Sequence, residues 1–422
     1  MSTDLKVQFF SHLNGINLGN NWGDLIRMLD TCLVNGLPFT SVMAASIDAN
    51  GDINLTFFAA HNAVLFQIVE LTGFSPSNIN GKYRIKGLPT STQIILKAEL
   101  SGQSITANGS AKLAALGYEI IFRDANDVKR VYRAKNPRAE HPFIRVDETI
   151  SDGVNSYNSA YAKSAMVGLV ENMAHIDDYE DTGKLQLPLN TADFRRNWKI
   201  TGTGTNCVRG WSKWYWATQQ AYLAGPFEFN APPSGNRRFT LTGDDEAFYI
   251  TMSMSTSDQQ NKVVYGCGLF DSTVDPSVSE NWFLISTLRL DNAGSTNGFS
   301  GYTGGTPFVF DTSSNKSGFF VPKYSIANKI VNHDVTTPIL PDLTTGYSNI
   351  YSASNIGALQ IPFVDNSKHL RGTLKHIFYA GNIRPSNQQT TPLLYENNMY
   401  VWDSIWVQPG VGGMYFYLGE LE

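Results

Sequence analysis

The sequence predicts a mainly β protein of sandwich-like or barrel-like modules, with one or two short helices and an α+β arrangement in its N-terminal part. Short apolar runs flanked by Asp, Asn, Gly or Pro recur at intervals of about 8–12 residues, which is typical of all-β sandwiches and barrels. Charged residues make up 16% of the 422-residue chain and aromatic residues 12%. A charged fraction well below the usual value of about 25% suits a protein that buries much of its surface.

One helix interrupts the β pattern, and we predict it over residues 22–35. Asn21 is placed to cap its start, and Gly36 is placed to end it. A short helix is stable when its apolar stripe is covered by other elements, so a sheet must pack against it. The stripe consists of Leu25, Met28, Leu29, Cys32 and Leu33.

From Ser41 onwards the pattern predicts strands. Val42–Ala45 and Ile53–Ala59 flank the sequence DANGD (Asp48–Asp52), in which Gly supplies the positive φ of a hairpin turn. The same acidic spacing is found at the start of a calcium loop. An EF-hand requires Glu at the twelfth position, which here is Ala59. A plain hairpin turn is therefore the favoured interpretation.

The stretch from Tyr118 to Gly183 contains three further predicted strands, at Tyr118–Phe122, Phe143–Val146 and Ala165–Val170. A turn at Asp124–Asp127 leads from the first of them into a returning strand, Lys129–Arg133. We expect a hairpin here.

This hairpin carries a basic patch in an otherwise acidic protein, whose net charge is −5. We expect Lys129, Arg130 and Arg133 on its outer side. The patch has three interpretations: a solvated hairpin face, a nucleic-acid channel, or an ion-pair interface with an acidic neighbouring subunit. The net charge fits the last better than the second and argues against specific nucleic-acid binding as the main task.

An acidic cluster follows the third strand, and two interpretations apply to it. Carboxylate clusters bind metals or act as acid and base, but they more often form solvated turns. Because no second catalytic half is recognisable in the sequence, we favour turns. The cluster consists of His175, Asp177, Asp178, Glu180 and Asp181.

The best candidate for a domain boundary is the polar segment Asp178–Asn197. It predicts an N-terminal β-rich domain over residues 1–190 and a C-terminal β-rich domain over residues 191–422. Long Gly- and Ser-rich loops are predicted in the second domain, at Asn292–Thr306 and Asp311–Gly318. Loops of this length are usually functional, or become ordered against a neighbour.

A dense aromatic group, Trp211, Trp214, Tyr215 and Trp216, lies in the segment RGWSKWYWA. Strand alternation places Trp214 and Trp216 on one face and Tyr215 on the other. Three interpretations apply: the core of a sandwich, a contact between assembled subunits, or an aromatic platform for a glycan.

The sequence does not indicate an enzyme, a cofactor or a metal site. Ser253, His333 and an Asp can be combined into a triad on paper, but the chain has no G-x-S-x-G nucleophile elbow. GYTGG (Gly301–Gly305) lacks the G-x-x-x-x-G-K-[ST] pattern of a phosphate loop. Three sparse cysteines argue against a disulfide framework. Without a signal peptide or a bilayer-spanning apolar run, we expect a chain made in the cytosol, not secreted by a cleaved signal and not inserted into a membrane.

An ordered set of segments resembles a family of tailed-bacteriophage virion proteins. The early helix resembles the family's "LDACLVxG" start, and FIRVDE resembles its "YLRVDD" strand. The chain departs from the family in the additional stretch Ser75–Lys112 and in lacking Gly in its VDE turn. The similar segments are Leu25–Gly36, Phe143–Glu148, Ala162–Gly183, the NWKITGTG and WSKWYWA segments, Asp244–Met252, Tyr265–Ser272 and His369–Phe378.

The resemblance implies a non-enzymatic structural subunit of a phage tail, in the sheath, baseplate or neck region. Its partners would be other virion proteins and further copies of itself, in a ring of 3-, 6- or 12-fold symmetry, and its location would be the virion. Two alternatives stay open: a tail protein that binds a host receptor or glycan, and a polysaccharide depolymerase. The absence of a β-helix repeat argues against the depolymerase.

Overall fold

The computed structural model describes residues 3–136, 138–220, 228–275, 279–289, 302–304, 318–339, 360–381, 390–406 and 411–422. Of the two predicted loops, Asn292–Thr306 lies outside the described residues except for 302–304, and Asp311–Gly318 lies outside them except for Gly318. The described part is mainly β with a single α-helix, which confirms the predicted fold class.

The first half of the chain forms sixteen short strands, and the predicted hairpins are among them. The strands are β1 Gln8–Ser11, β2 Leu37–Pro38, β3 Val42–Ile47, β4 Ile53–Phe57, β5 Ile68–Thr72, β6 Gly81–Thr90, β7 Gln93–Lys97, β8 Ser110–Leu113, β9 Tyr118–Arg123, β10 Lys129–Ala134, β11 Phe143–Asp147, β12 Lys163–Val170, β13 Gln186–Leu187, β14 Ile200–Thr201, β15 Val208–Arg209 and β16 Ser212–Ala217.

The second half contributes fifteen described strands. They are β17 Phe239–Gly243, β18 Ala247–Ser253, β19 Lys262–Leu269, β20 Asp271–Ser272, β21 Trp282–Ile285, β22 Thr287–Arg289, β23 Tyr302–Gly304, β24 Phe319–Pro322, β25 His333–Pro338, β26 Pro362–Val364, β27 Leu370–Thr373, β28 Ile377–Gly381, β29 Thr391–Tyr395, β30 Asn398–Trp406 and β31 Val411–Glu420. Short 3-10 turns cover His12–Asn14, Ser77–Ile79, Asp178–Glu180 and Gly204–Asn206.

These strands pair antiparallel in five sheets. A seven-stranded sheet, in the order β2-β8-β5-β6-β7-β4-β3, curves into a half-barrel. An eight-stranded sheet runs β23-β22-β16-β12-β11-β10-β9, with β13 added beside β12. A ten-stranded sheet runs β1-β17-β18-β19-β21-β24-β25-β26-β27-β20, a four-stranded sheet runs β28-β31-β30-β29, and β14 pairs with β15.

The turn at Asp48–Asp52 joins β3 to β4, as predicted. Gly51 has a φ of +85°, and the Asp48 Oδ1 accepts hydrogen bonds from the backbone N–H of Asn50 at 2.9 Å and of Asp52 at 3.0 Å. The Asp48 carboxylate is therefore used to build the turn, which is the ordinary role of Asp in such a position.

The predicted helix is present but changes character halfway. An α-helix, α1, covers Asp24–Leu29, and a π-helix continues it over Asp30–Asn35 before Gly36 ends it with a φ of +72°. All five residues of the predicted stripe are buried. The predicted Asn21 cap is wrong, because the N-cap residue is Gly23 and the N–H groups at this end of the helix donate to a carboxylate from another part of the chain. The Glu148 carboxylate, at the end of β11, accepts hydrogen bonds from the N–H groups of Gly23 and Ile26.

A continuous core joins the helix to three of the sheets. The helix stripe packs with the interior of the half-barrel, with one face of the eight-stranded sheet and with the first strands of the ten-stranded sheet. A second core lies between the ten-stranded and four-stranded sheets, where Tyr249 stacks on Phe283 at 5.4 Å between ring centroids and also contacts Phe416. All three cysteines are free and buried.

The proposed division at residue 190 falls in a loop between strands. Two sheets contain strands from both sides of it, because β1 pairs with β17 and β12 pairs with β16. The division into two domains at residue 190 therefore stays a prediction.

Arg84 holds the two ends of the described chain together. Its buried guanidinium donates hydrogen bonds to the carbonyl groups of Asp4, Val7 and Leu418, the last two at 3.0 Å. The Asp4 N–H in turn donates to the Glu420 carbonyl at 2.9 Å. Burial lowers the pKa of Arg84 to about 9 despite the nearby charge of Asp4. The segment that precedes β1 and the end of β31 therefore lie side by side.

Candidate functional site

The two faces of the eight-stranded sheet have opposite roles. Strand alternation and the register Lys129↔Asp147↔Met166 put these three residues on one face, which we call the outer face. Arg130 and Val146 lie opposite one another on the other face, which packs against the helix and the core.

Arg130 lies on the core face, so the prediction that it points outwards is wrong. Its side chain is buried, with Nε 3.2 Å from the Asp30 Oδ2 and Nη2 2.6 Å from the Asp127 Oδ1. The Tyr132 hydroxyl donates to the same Asp30 carboxylate at 2.7 Å. A buried guanidinium needs such partners, and the start of the π-helix supplies one of them.

Lys129 and Arg133 do lie on the outer face, and both are half-buried. The Arg133 guanidinium packs over the Phe143 ring at 4.5 Å from its centroid. Arg130 is buried on the core face, whereas Lys129 and Arg133 are half-buried on the outer face. The three basic residues therefore do not form one continuous patch.

Arg145 also lies on the outer face. It anchors the segment that covers this face, residues 176–198, which we call the covering segment. Its buried guanidinium lies 4.4 Å from the Trp198 ring and 4.6 Å from the Tyr179 ring. It donates to the Asp147 carboxylate and to the Ile176 carbonyl, both at 2.9 Å. Cation–π contacts and a charge-assisted hydrogen bond therefore fix the covering segment to the sheet.

Gly168 allows this close packing. A Cβ at this position would lie 2.8 Å from the Trp198 Cζ2 and 2.8 Å from the Asn197 Nδ2. The approach of Trp198 to β12 therefore requires glycine.

A cleft of about 680 Å³ opens beside this anchor, and we call it the outer cleft. It lies between the Asp124–Asp127 turn, the end of β11 and the covering segment. Its walls are rich in both signs of charge. The ionisable residues that line it are Asp124, Asp147, Asp152, Asp177, Glu180, Lys129, Arg195, Lys199 and His175.

Most of the carboxylates in the outer cleft are already engaged. The Asp124 Oδ1 accepts hydrogen bonds from the N–H groups of Val128 and Lys129, and Glu180 forms an ion pair with Arg195 at 2.8 Å. Burial alone would raise the pKa of Asp147, but the charges of Arg145 and Lys129 and its hydrogen bonds with Thr149 outweigh it and hold that pKa below the ordinary value. The cleft thus offers fixed, ionised hydrogen-bonding groups, which suit binding of a polar ligand.

The acidic cluster after β12 forms turns, which is the interpretation that we favoured. The Asp178 carboxylate accepts hydrogen bonds from the N–H groups of Ala174 and His175 and from the Lys184 ammonium, the last at 3.0 Å. In the described part of the chain, no group of three or more His, Cys, Asp or Glu side chains is arranged to hold a metal ion.

The Trp-rich strand β16 lies inside the protein. Trp214 is fully buried, donates from Nε1 to the Ile285 carbonyl at 2.9 Å and stacks on Tyr265. Trp216 packs edge-on against Trp22 at 5.7 Å, and the Tyr215 hydroxyl donates to the Glu228 carboxylate.

Trp211, the most exposed of the four at 9%, packs against Arg196 at 4.3 Å and His333 at 4.8 Å. The core interpretation is confirmed. In this structure these four side chains are not available as an assembly or glycan surface.

An apolar surface is found instead at the edge of the half-barrel, and sequence reasoning missed it. β3 is the terminal strand of its sheet, and among the described residues it pairs with β4 alone. Beside this edge Met43 is 59% exposed and Phe58 is 75% exposed. The Phe58 N–H donates to the Ser41 carbonyl, which keeps the backbone of residue 58 next to the start of β3. We call this surface the β3 edge.

No known protein-family model matches the chain, and no curated protein matches it. Among the described helices, none is long and apolar enough to cross a bilayer.

Proposed function

We propose that the protein is a non-enzymatic structural subunit of a tailed-bacteriophage virion that assembles in symmetric copies around the tail. The observation that carries the proposal is the β3 edge. Here a strand that is paired on one side only lies next to two exposed apolar side chains, Met43 and Phe58, and the Met43 carbonyl accepts a hydrogen bond from the Asn108 side chain. We assign a second copy of this chain as its partner.

The composition of β3 supports this role. Monomeric proteins protect exposed edge strands with Lys, Pro or inward-pointing charges, because an unprotected edge pairs with other chains. β3 reads VMAASI and contains no charged residue and no proline. A bulge at Met43 is its one irregularity, so pairing along Ala44–Ile47 is open to a neighbour.

The sequence resemblance to tail proteins is the basis on which we propose the phage tail as the location. The buried aromatic residues change the mechanism expected from the sequence, because the Trp-rich strand belongs to the core of one subunit. Contacts between subunits would then use the β3 edge. If the β3 edge of each copy contacts a different surface of the next copy, the repeated contact closes into a ring when the rotation between copies allows it.

The test is to introduce charge into the β3 edge. We expect Met43→Asp together with Phe58→Asp to abolish assembly while leaving the fold intact, measured by light scattering on the purified protein and by the amount of protein in purified particles. Val154→Asp is the matched control, because Val154 is 83% exposed and lies outside the named strands. Absence of the wild-type protein from purified virions would refute the proposed function.

A second candidate function is binding of a host receptor or glycan, and the outer cleft favours it. Its ionised side chains are fixed in place and line a space large enough for a sugar unit. A glycan array would test it. Specific binding should be lost in Arg195→Ala with Lys199→Ala and kept in Lys82→Ala, a control at an exposed residue of the half-barrel. Trp214→Ala would be uninformative, because Trp214 lies in the core.

A further inference from the structure

A lysine and an aspartate meet in the interior between two sheets. Lys262 is the first residue of β19 in the ten-stranded sheet, and Asp403 lies in β30 of the four-stranded sheet. Both side chains are fully buried, and the Lys262 Nζ lies 2.5 Å from the Asp403 Oδ1. The Lys262 nitrogen therefore lies next to the carboxyl group whose carbon it would attack.

The surroundings polarise the Asp403 carboxyl group. The Thr251 hydroxyl donates a hydrogen bond to its Oδ2, and the Ser404 backbone N–H donates to its Oδ1 at 2.9 Å. Two donors directed at one carboxyl group stabilise the negative charge that develops on its oxygens when a nucleophile attacks the carbon.

Burial also favours the neutral form of Lys262. It lowers the pKa of the Lys262 ammonium, and this effect outweighs the attraction of Asp403. In a site closed to solvent, transfer of a proton from the ammonium to the carboxylate removes two buried charges at once. The resulting neutral amine is a nucleophile, and the neutral acid is an electrophile.

We propose that Lys262 and Asp403 form an intramolecular amide bond that covalently joins the two sheets. The amine nitrogen attacks the carboxyl carbon, a C–N bond forms and a C–O bond breaks, and one oxygen of Asp403 leaves as water. Two protons leave in that water: the proton that the ammonium passed to the carboxylate, and one further proton of the amine. The reaction changes no oxidation state and needs no co-reactant. The proposal does not depend on the proposed function.

A second lysine–aspartate pair shows what distinguishes this site. The Lys86 Nζ lies 2.6 Å from the Asp52 Oδ2, so its contact is nearly as close. The Lys86 side chain is 42% exposed, however, so its ammonium group is solvated by water, whereas that of Lys262 is fully buried. The Lys86–Asp52 pair is therefore an internal control in the same molecule.

The test is the intact mass of the full-length wild-type protein, purified from cells and incubated until its mass is constant. We expect a mass lower than that of the sequence by one water, and a tryptic digest in which the peptides containing Lys262 and Asp403 are joined. The peptides containing Lys86 and Asp52 should stay separate. An intact mass equal to that of the sequence, or a loss of water that leaves the Lys262 and Asp403 peptides separate, overturns the proposal.

Variants provide a second measurement. Asp403→Asn should lose one ammonia in place of one water, since the leaving group changes, whereas Lys262→Arg should keep its full mass. The first measurement uses only the wild-type protein, so a variant that fails to fold does not affect the conclusion. If the Asp403→Asn protein folds and keeps its full mass, and the wild-type mass also equals that of the sequence, the proposal is overturned.

Discussion

Glu148 gives a prediction whose size follows from the structure. Its buried carboxylate accepts hydrogen bonds from the N–H groups of Gly23 and Ile26 and so closes the start of α1 from a distant strand. Desolvation by burial raises the pKa of Glu148 from an ordinary value of 4.5 to about 7, against the lowering effect of these two hydrogen bonds. The perturbation is Glu148→Gln, which removes the charge and keeps one acceptor oxygen.

The sign follows from proton binding. Between pH 4.5 and pH 7 the folded state holds a proton on Glu148 that the unfolded chain has released. The stability that this proton contributes is complete below pH 4.5 and is lost as the pH rises through about 7. Because one pKa unit corresponds to about 1.4 kcal/mol, ionised Glu148 costs the folded state about 3 kcal/mol in full. The glutamine of the variant cannot ionise, so the variant does not lose this stability as the pH rises.

The assay is chemical unfolding of wild type and Glu148→Gln at pH 5 and at pH 8, with hydrogen exchange of the peptide covering α1 as the local readout. We expect the variant to gain about 2–3 kcal/mol relative to wild type between the two pH values. Glu119→Gln, at an exposed residue, is the matched control and should gain nothing. An equal difference between wild type and Glu148→Gln at both pH values would refute the reasoning.

Three further predictions concern packing, and each is checked by the midpoint of chemical unfolding. Trp214→Ala removes a fully buried ring and its hydrogen bond and should cost about 3–5 kcal/mol, whereas a surface aromatic would cost little. Gly168→Ala should cost about 1–3 kcal/mol, because its Cβ would press on Trp198, and an unchanged midpoint would disprove that contact. Arg130→Met removes the buried guanidinium from the Asp30 carboxylate, which keeps the Tyr132 hydroxyl as a partner, and should cost about 3 kcal/mol, with Lys82→Met at an exposed residue as a nearly neutral control.

Local features of the fold were predictable because their signals are local. Short apolar runs, turn residues and the 3.6-residue spacing of the Leu25 stripe each depend on neighbours within one element. The hairpin of β9 and β10 follows from such signals. The change from α1 to a π-helix has no comparable signal, because the apolar stripe is the same in both.

The candidate sites were less predictable because they depend on partners far along the chain. The role of Arg130 is set by Asp30, 100 residues away, and the cap of α1 is set by Glu148. Alternation along Lys129–Arg133 shows that Arg130 differs from its neighbours, but not which face is covered. The β3 edge was missed for the same reason, since VMAASI does not reveal that it ends its sheet.

The junction at Arg84 has a mechanical consequence. Because residues 4 and 420 are hydrogen-bonded to each other, anything attached before Thr3 or after Glu422 leaves the molecule from one point. Tension between two such attachments would first load the hydrogen bonds between Thr3 and Glu422 and between Asp4 and Glu420, and then the Arg84 contacts, before it reached the sheets. A protein built in this way can be pulled at both ends without its sheets being the first part to stretch.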